Sequence, residues 1–148
     1  MLKSLRVERV VGGVAACLAV ACGGGEKAAV KTEPAAAPSV AAEVTPDPGG
    51  KVITVQMITD GTGNYFKPAD FAAHPGDVVR FTLTVGVHNV HFLADSNPGA
   101  TGLPPAGELL QLPGQKYDLK VSLKPGTYFY QCDAHAALGM KGHLKVEK

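Results

Sequence analysis

Tryptophan is absent from these 148 residues, aromatics make up only 6%, and cysteine occurs three times. A small exported domain stapled by disulfides carries an even set of cysteines, and three cannot build such a framework. An excess of charge of one sign is missing too, because 14 basic residues face 13 acidic ones. No basic stripe interleaved with aromatics marks a nucleic-acid surface, so nucleic acid is excluded as a partner. Nor is there an apolar run of the roughly 20 residues that a membrane-spanning helix needs. The nearest thing to one, Val10 to Ala21, is too short.

That short run has a different meaning. It follows Lys3, Arg6 and Arg9, interrupted only by Glu8, and ends at Cys22. A basic start, a short apolar stretch and small residues before a cleavage point form a signal peptide, here residues 1–21. Ala19-Val20-Ala21 suits a peptidase that cuts in front of a cysteine, so Cys22 becomes the first mature residue and carries lipid. Cys17, after Val14-Ala15-Ala16, is a rival that would cut the apolar run to seven residues. An ordinary secretory signal cleaved near Ala21 would instead leave Cys22 as a thiol. Removing the signal's three basic residues and Glu8 leaves 11 basic and 12 acidic residues, a formal charge of −1. Partners must then be chosen by local surface, not by bulk field.

Residues 22–50 are rich in Ala, Pro and Gly, as in Ala35-Ala36-Ala37-Pro38 and Pro46-Asp47-Pro48-Gly49-Gly50. With no apolar periodicity to build a core, they read as a flexible linker behind the lipidated cysteine. Residues 51–148 form one domain, large enough for a core without disulfides. β-Branched and aromatic runs alternate there with turns such as His74-Pro75-Gly76-Asp77 and Lys124-Pro125-Gly126-Thr127. This is the pattern of an all-β sandwich with seven to eight strands and little helix. Strands are expected at Lys51–Thr59, Tyr65–Phe66 with Asp70–Ala73, Asp77–Val85, His88–Leu93, Lys116–Leu123, Gly126–Cys132 and Lys141–Glu147. Only Gly107–Leu112 offers a short helix, inside a Gly/Pro-rich connection from Ala94 to Gln115.

With Cys17 lost in the signal and Cys22 consumed by lipid, Cys132 stands alone. A lone thiol outside the cytoplasm is open to oxidation, and a metal bond removes that liability. Cys132 opens Cys132-Asp-Ala-His135-Ala-Ala-Leu-Gly-Met140, and an isolated His88 lies far upstream in Val87-His88-Asn89-Val90. A thiolate, two imidazoles and a thioether form the donor set of a blue-copper centre. The remaining candidates read more plainly. His91 lies three residues from His88, so strand alternation turns it to the other face. His74 and His143 face solvent, and Asp133 caps or hydrogen-bonds locally. Met57 packs in the core, while Tyr128 and Tyr130 are strand aromatics.

At these residues the chain resembles the cupredoxins, in particular the plastocyanin and pseudoazurin group. Phe66-Lys-Pro68-Ala-Asp-Phe71 leading into Pro75-Gly76-Asp77-Val78-Val79-Arg80-Phe81 is similar to the family's early strands, and His88-Asn89 to its His-Asn element. Leu109-Leu110-Gln-Leu-Pro113-Gly114-Gln-Lys-Tyr117 and Lys124-Pro125-Gly126-Thr127-Tyr128-Phe129-Tyr130 resemble the stretches before the ligand loop. The Cys-x₂-His-x₄-Met spacing resembles plastocyanin and pseudoazurin, not the shorter amicyanin loop.

The resemblance implies a Greek-key sandwich and one copper ion, Cu(I) or Cu(II), held by His88, Cys132, His135 and Met140. It also implies that Asn89 ties the two ligand segments together by hydrogen bonds. Gln131 stands where plant plastocyanins carry a tyrosine implicated in a second electron route, and Ala134 where a proline is common. The implied activity is electron shuttling between redox proteins such as c-type cytochromes, oxidases or reductases, without catalysis. The protein is expected to be a monomer on the periplasmic or cell-surface side, held to a membrane by Cys22. Copper storage or delivery to an oxidase or reductase is the alternative, and a zinc or metal-free binding module a third reading.

Overall fold

The computed structural model describes residues 43–148; the expected signal, Cys17, Cys22 and the linker up to residue 42 lie outside the described residues. Seven strands run in the order β1 (Val52–Asp60), β2 (Gly63–Lys67), β3 (Asp70–Ala73), β4 (Val78–Leu83), β5 (Lys116–Lys120), β6 (Gly126–Gln131) and β7 (Lys141–Val146). They form a four-stranded sheet, β2-β1-β4-β5, and a three-stranded sheet, β3-β7-β6. β1 runs parallel to β4, and β3 parallel to β7, while the other pairs are antiparallel.

The alternation along each strand decides which face is buried. Val79, Phe81 and Leu83 of β4 point inward with Val55 and Met57 of β1, against Tyr128 and Tyr130 of β6 and Leu144 and Val146 of β7. Tyr130 is the hub. It is fully buried, with ring centroids 4.8 Å from Phe66, 5.5 Å from Phe81 and 5.5 Å from Phe92. Its hydroxyl donates to Ala69 O at 2.6 Å, so its one polar atom is satisfied inside the core.

Three expectations change. Tyr65–Phe66 and Asp70–Ala73 do not continue one another but belong to different sheets. Pro68 lies between them and has no N–H to give a ladder. His88–Leu93 is not a regular strand, because it changes partners along its length. His88 pairs with Leu110, and His91 with Gln131 at the end of β6. Gly107–Leu112 is correspondingly not a helix. Gly107 N donates to Val90 O at 2.8 Å and Leu110 N to His88 O at 2.8 Å, so this stretch lies extended beside the histidine segment.

Residues 43–50, read from sequence as the end of the linker, lie against β4 and β5. Asp47 N donates to Gly76 O at 2.9 Å, and Val44 N to Asp118 Oδ2 at 3.2 Å. Arg80 is locked to Asp118 by two bonds of 2.9 and 2.8 Å and also meets Glu43, while Lys120 meets Asp47. A sliding view of composition misses such a strap, because its partners are distant charges rather than neighbouring apolar residues.

Candidate metal centre

The turn between β6 and β7 holds Cys132, His135 and Met140, and its backbone explains their spacing. Gln131 pairs with Lys141, and Cys132 N donates to Met140 O at 3.1 Å, so Cys132 and Met140 face each other at the base of a hairpin. Asp133–Leu138 is a 3₁₀ helix with Cys132 at its N-cap, a helix that the strand pattern gave no sign of. With three residues per turn, positions three apart eclipse. His135 therefore returns to the side of Cys132, and its N–H donates to Cys132 O at 3.1 Å. Gly139 then reverses the chain at φ 88° and delivers Met140, fully buried, into the start of β7.

His88 arrives from the other segment. Its Nδ1 lies 3.2 Å from His135 Nδ1 and 3.8 Å from Cys132 Sγ, and Cys132 Sγ lies 3.5 Å from His135 Nδ1. A point equidistant from these three atoms lies about 2.0 Å from each, close to the bond lengths that a first-row metal makes to imidazole and thiolate. Among the described residues this is the one such cluster of His, Cys, Asp and Glu donors. His88 and Cys132 are fully buried and His135 is partly exposed, so the cluster has a dry side and a wet edge. Cys132 is also the free cysteine among the described residues.

Burial pushes the His88 pKa below its ordinary value, and the neighbouring His135 pushes it the same way. A neutral imidazole with a lone pair in the cluster is what metal binding requires. Soft sulfur and two imidazoles fit copper or zinc, and hard oxygen-seeking cations find no carboxylate here.

Asn89 joins the two segments. Its Oδ1 accepts from Asp133 N at 2.8 Å, while its Nδ2 donates to Asp133 Oδ2 at 2.9 Å and to Gly107 O at 3.3 Å. Asp133 also meets His91 at 3.0 Å and Gln131 at 3.2 Å. Desolvation raises the Asp133 pKa, but the bonds from Asn89, Gln131 and His91 outweigh it and leave a net lowering. Asp133 thus braces the loop from outside the cluster, and His91 is occupied by it. His74 and His143 are exposed, Met57 is in the core, and Tyr128 and Tyr130 are buried strand residues.

Sequence reasoning did not single out Thr59, Asn64 or Gly86, which stand behind His88. His88 Nε2 is 3.1 Å from Thr59 Oγ1 and 3.1 Å from Val85 O, and Thr59 Oγ1 donates to Asn64 Oδ1 at 2.6 Å. Nothing in the local sequence around His88 signals Thr59 or Asn64, because the β1–β2 register brings Asn64 to Thr59 and the bond from Thr59 N to Val85 O at 3.0 Å brings Thr59 to the His88 segment.

Residues 53–147 match the family model described as copper binding proteins, plastocyanin/azurin family. The chloroplastic plastocyanin of Oryza sativa subsp. indica is 32% identical, over 78% of this chain and 77% of the rice protein. Among solved structures, a mutant plastocyanin of fern is 34% identical with a TM-score of 0.53, over 64% of this chain and 99% of that one. Pseudoazurin from Methylobacterium extorquens AM1 is 27% identical with a TM-score of 0.52, over 66% and 76%.

Proposed function

Since the chain belongs to the plastocyanin/azurin family of copper-binding proteins, we propose that His88, Cys132, His135 and Met140 hold its one copper ion. The protein is a single-electron carrier of the blue-copper type, not an enzyme. The observation that carries the ligand assignment is the triangle of His88 Nδ1, Cys132 Sγ and His135 Nδ1, with sides of 3.2 to 3.8 Å. Met140, buried at the base of the same loop and tied to Cys132 through the backbone, would add a soft thioether sulfur to the set.

Copper, when bound, supplies a couple between Cu(I) and Cu(II). The chain's part is to keep the donors still. Cys132 and Met140 are tied to each other through the backbone, His135 is tied to Cys132, and Asn89 clamps the His88 segment to the loop. Donors held in one arrangement for both oxidation states need little rearrangement when an electron moves. Burial of Cys132 and His88 keeps water from the sulfur, and partly exposed His135 is the port.

Val85 and Val87 just before His88, Leu109 and Leu112 on either side of its partner Leu110, and Leu138 in the ligand loop are all exposed. These apolar residues suit brief docking to redox proteins such as c-type cytochromes, oxidases or reductases. The site of action is outside the cytoplasm, periplasmic or at the cell surface, after removal of residues 1–21. Cys22 carries the lipid that holds the protein to a membrane, and the folded domain extends from about residue 43 to 148 as a monomer. The signal-like start of the chain and the unpaired Cys132 support this placement.

Stoichiometric loading with copper followed by oxidation tests the assignment. An intense blue colour is expected in the parent and is expected to vanish in Cys132→Ser. A colourless copper complex in the parent would overturn it. Rapid loss of the copper to an acceptor apo-protein would favour delivery over electron carriage.

A further inference from the structure

We propose that Thr59 and Asn64 are a positioning pair that fixes the tautomer and the donor strength of His88; this rests on His88 being a copper ligand. Thr59 and Asn64 are cross-strand partners in the β1–β2 hairpin register, one step before Asp60 and Gly63 close it. Asp60 fastens that turn, accepting from Thr62 N at 2.8 Å, from the Thr62 hydroxyl at 2.6 Å and from the Tyr65 hydroxyl at 2.6 Å. The pair therefore sits on a firm part of the four-stranded sheet, in neither segment that carries the other donors.

Proton accounting then fixes the direction of each bond. The Thr59 hydroxyl gives its only proton to Asn64 Oδ1 at 2.6 Å, an oxygen that can only accept. Its lone pairs are left for His88 Nε2 at 3.1 Å. Val85 O, also 3.1 Å from Nε2, accepts and cannot donate. Two acceptors facing one ring nitrogen require that nitrogen to carry the proton. The lone pair of the neutral ring is then on Nδ1, the atom turned toward Cys132 and His135. An acceptor behind a ligating imidazole both orients the ring and raises its basicity.

The space confirms how closely the clamp is built. A Cβ on Gly86 would stand 2.3 Å from Thr59 Oγ1 and 2.6 Å from His88 Nε2, and Gly86 has φ +106°. No other residue type fits between the hydroxyl and the ring without displacing one of them. Val85 O alone would satisfy the ring proton, so a hydroxyl aimed at the same atom and itself aimed by an amide acts on donor strength.

A stronger imidazole donor favours Cu(II) over Cu(I), so removing the hydroxyl raises the reduction potential. Thr59→Val is expected to weaken Cu(II) binding relative to Cu(I) about tenfold, which is about 59 mV for one electron. Asn64→Leu moves the potential in the same direction, and Thr59→Ser restores the parental value. Loss of melting temperature in Thr59→Val with an unchanged potential and optical spectrum would overturn the proposal. A second arm needs no metal: long-range proton–nitrogen NMR of the copper-free protein at about pH 8, above the ordinary histidine pKa. His88 is expected protonated on Nε2, with a proton slow to exchange in the parent and faster in Thr59→Val. A proton on Nδ1 in the parent would overturn the clamp. Failure of the parent to bind copper would count against the functional reading and leave this arm to decide the clamp.

Discussion

Asn89 spends one side-chain amide on two jobs, accepting from Asp133 N and donating to Asp133 Oδ2 and Gly107 O. Asn89→Leu keeps the volume and removes all three bonds. The cost expected is about 1–3 kcal/mol, the penalty of stranding partly buried partners, read as a fall in the midpoint of denaturant unfolding. Copper affinity should fall by roughly 10- to 100-fold, because the His88 segment and the ligand loop are no longer held in register. A variant that unfolds earlier yet binds copper as the parent does would remove Asn89 from the metal site's support. Asn89 was legible beside His88 because it is next to it in sequence. Thr59 and Asn64 were not legible, being 29 residues away along the chain in the case of Thr59, and their role exists only once the sheet is formed.

At the scale of elements, strands announce themselves and exchanges of partner do not. β4 is a β-branched and aromatic run and β7 an alternating one, each set off by a turn, so their composition and punctuation marked them in advance. The donor spacing of the ligand loop was likewise plain, although the 3₁₀ turn that gives the spacing its meaning was hidden. The stretch 88–93 looked like a strand because its composition is that of one. Nothing local says that His88 pairs with Leu110 while His91 pairs with Gln131. The β1–β2 hairpin carries a prediction of its own. Hydrogen bonds from Thr62 and Tyr65 lower the Asp60 pKa from 3.8 to about 2. The folded value lies below the unfolded one, so Asp60's contribution is complete above pH 3.8 and is lost as pH falls through about 2. Thermal melts of the parent and Asp60→Asn, compared from about pH 5 to about pH 2, should converge over that window. A constant gap would show that the carboxylate does not fasten the turn.

The domain of residues 43–148 has two unlike ends. At one, Val85 and Val87 just precede His88 along the chain, Leu109 and Leu112 lie on either side of its partner Leu110, and Leu138 of the ligand loop is the most open at 70%. Docking that covers Leu138 gains about 1.5–3 kcal/mol, so Leu138→Glu should slow electron exchange with a redox partner by about tenfold or more. The blue absorption should stay as it is. Equal exchange rates in stopped-flow mixing would show that partners land elsewhere. At the other end the chain enters along the strap of residues 43–50, fastened by Arg80 and Asp118, by Lys120 and by the bond from Asp47 to Gly76. The strap meets the beginning of β4 and the end of β5, whereas His88 follows the end of β4. A pull applied at residue 43 therefore loads these ionic and backbone fastenings one after another, like a seam opening stitch by stitch. The strap, and not the donors that follow the other end of β4, is then the first part of the domain to give way.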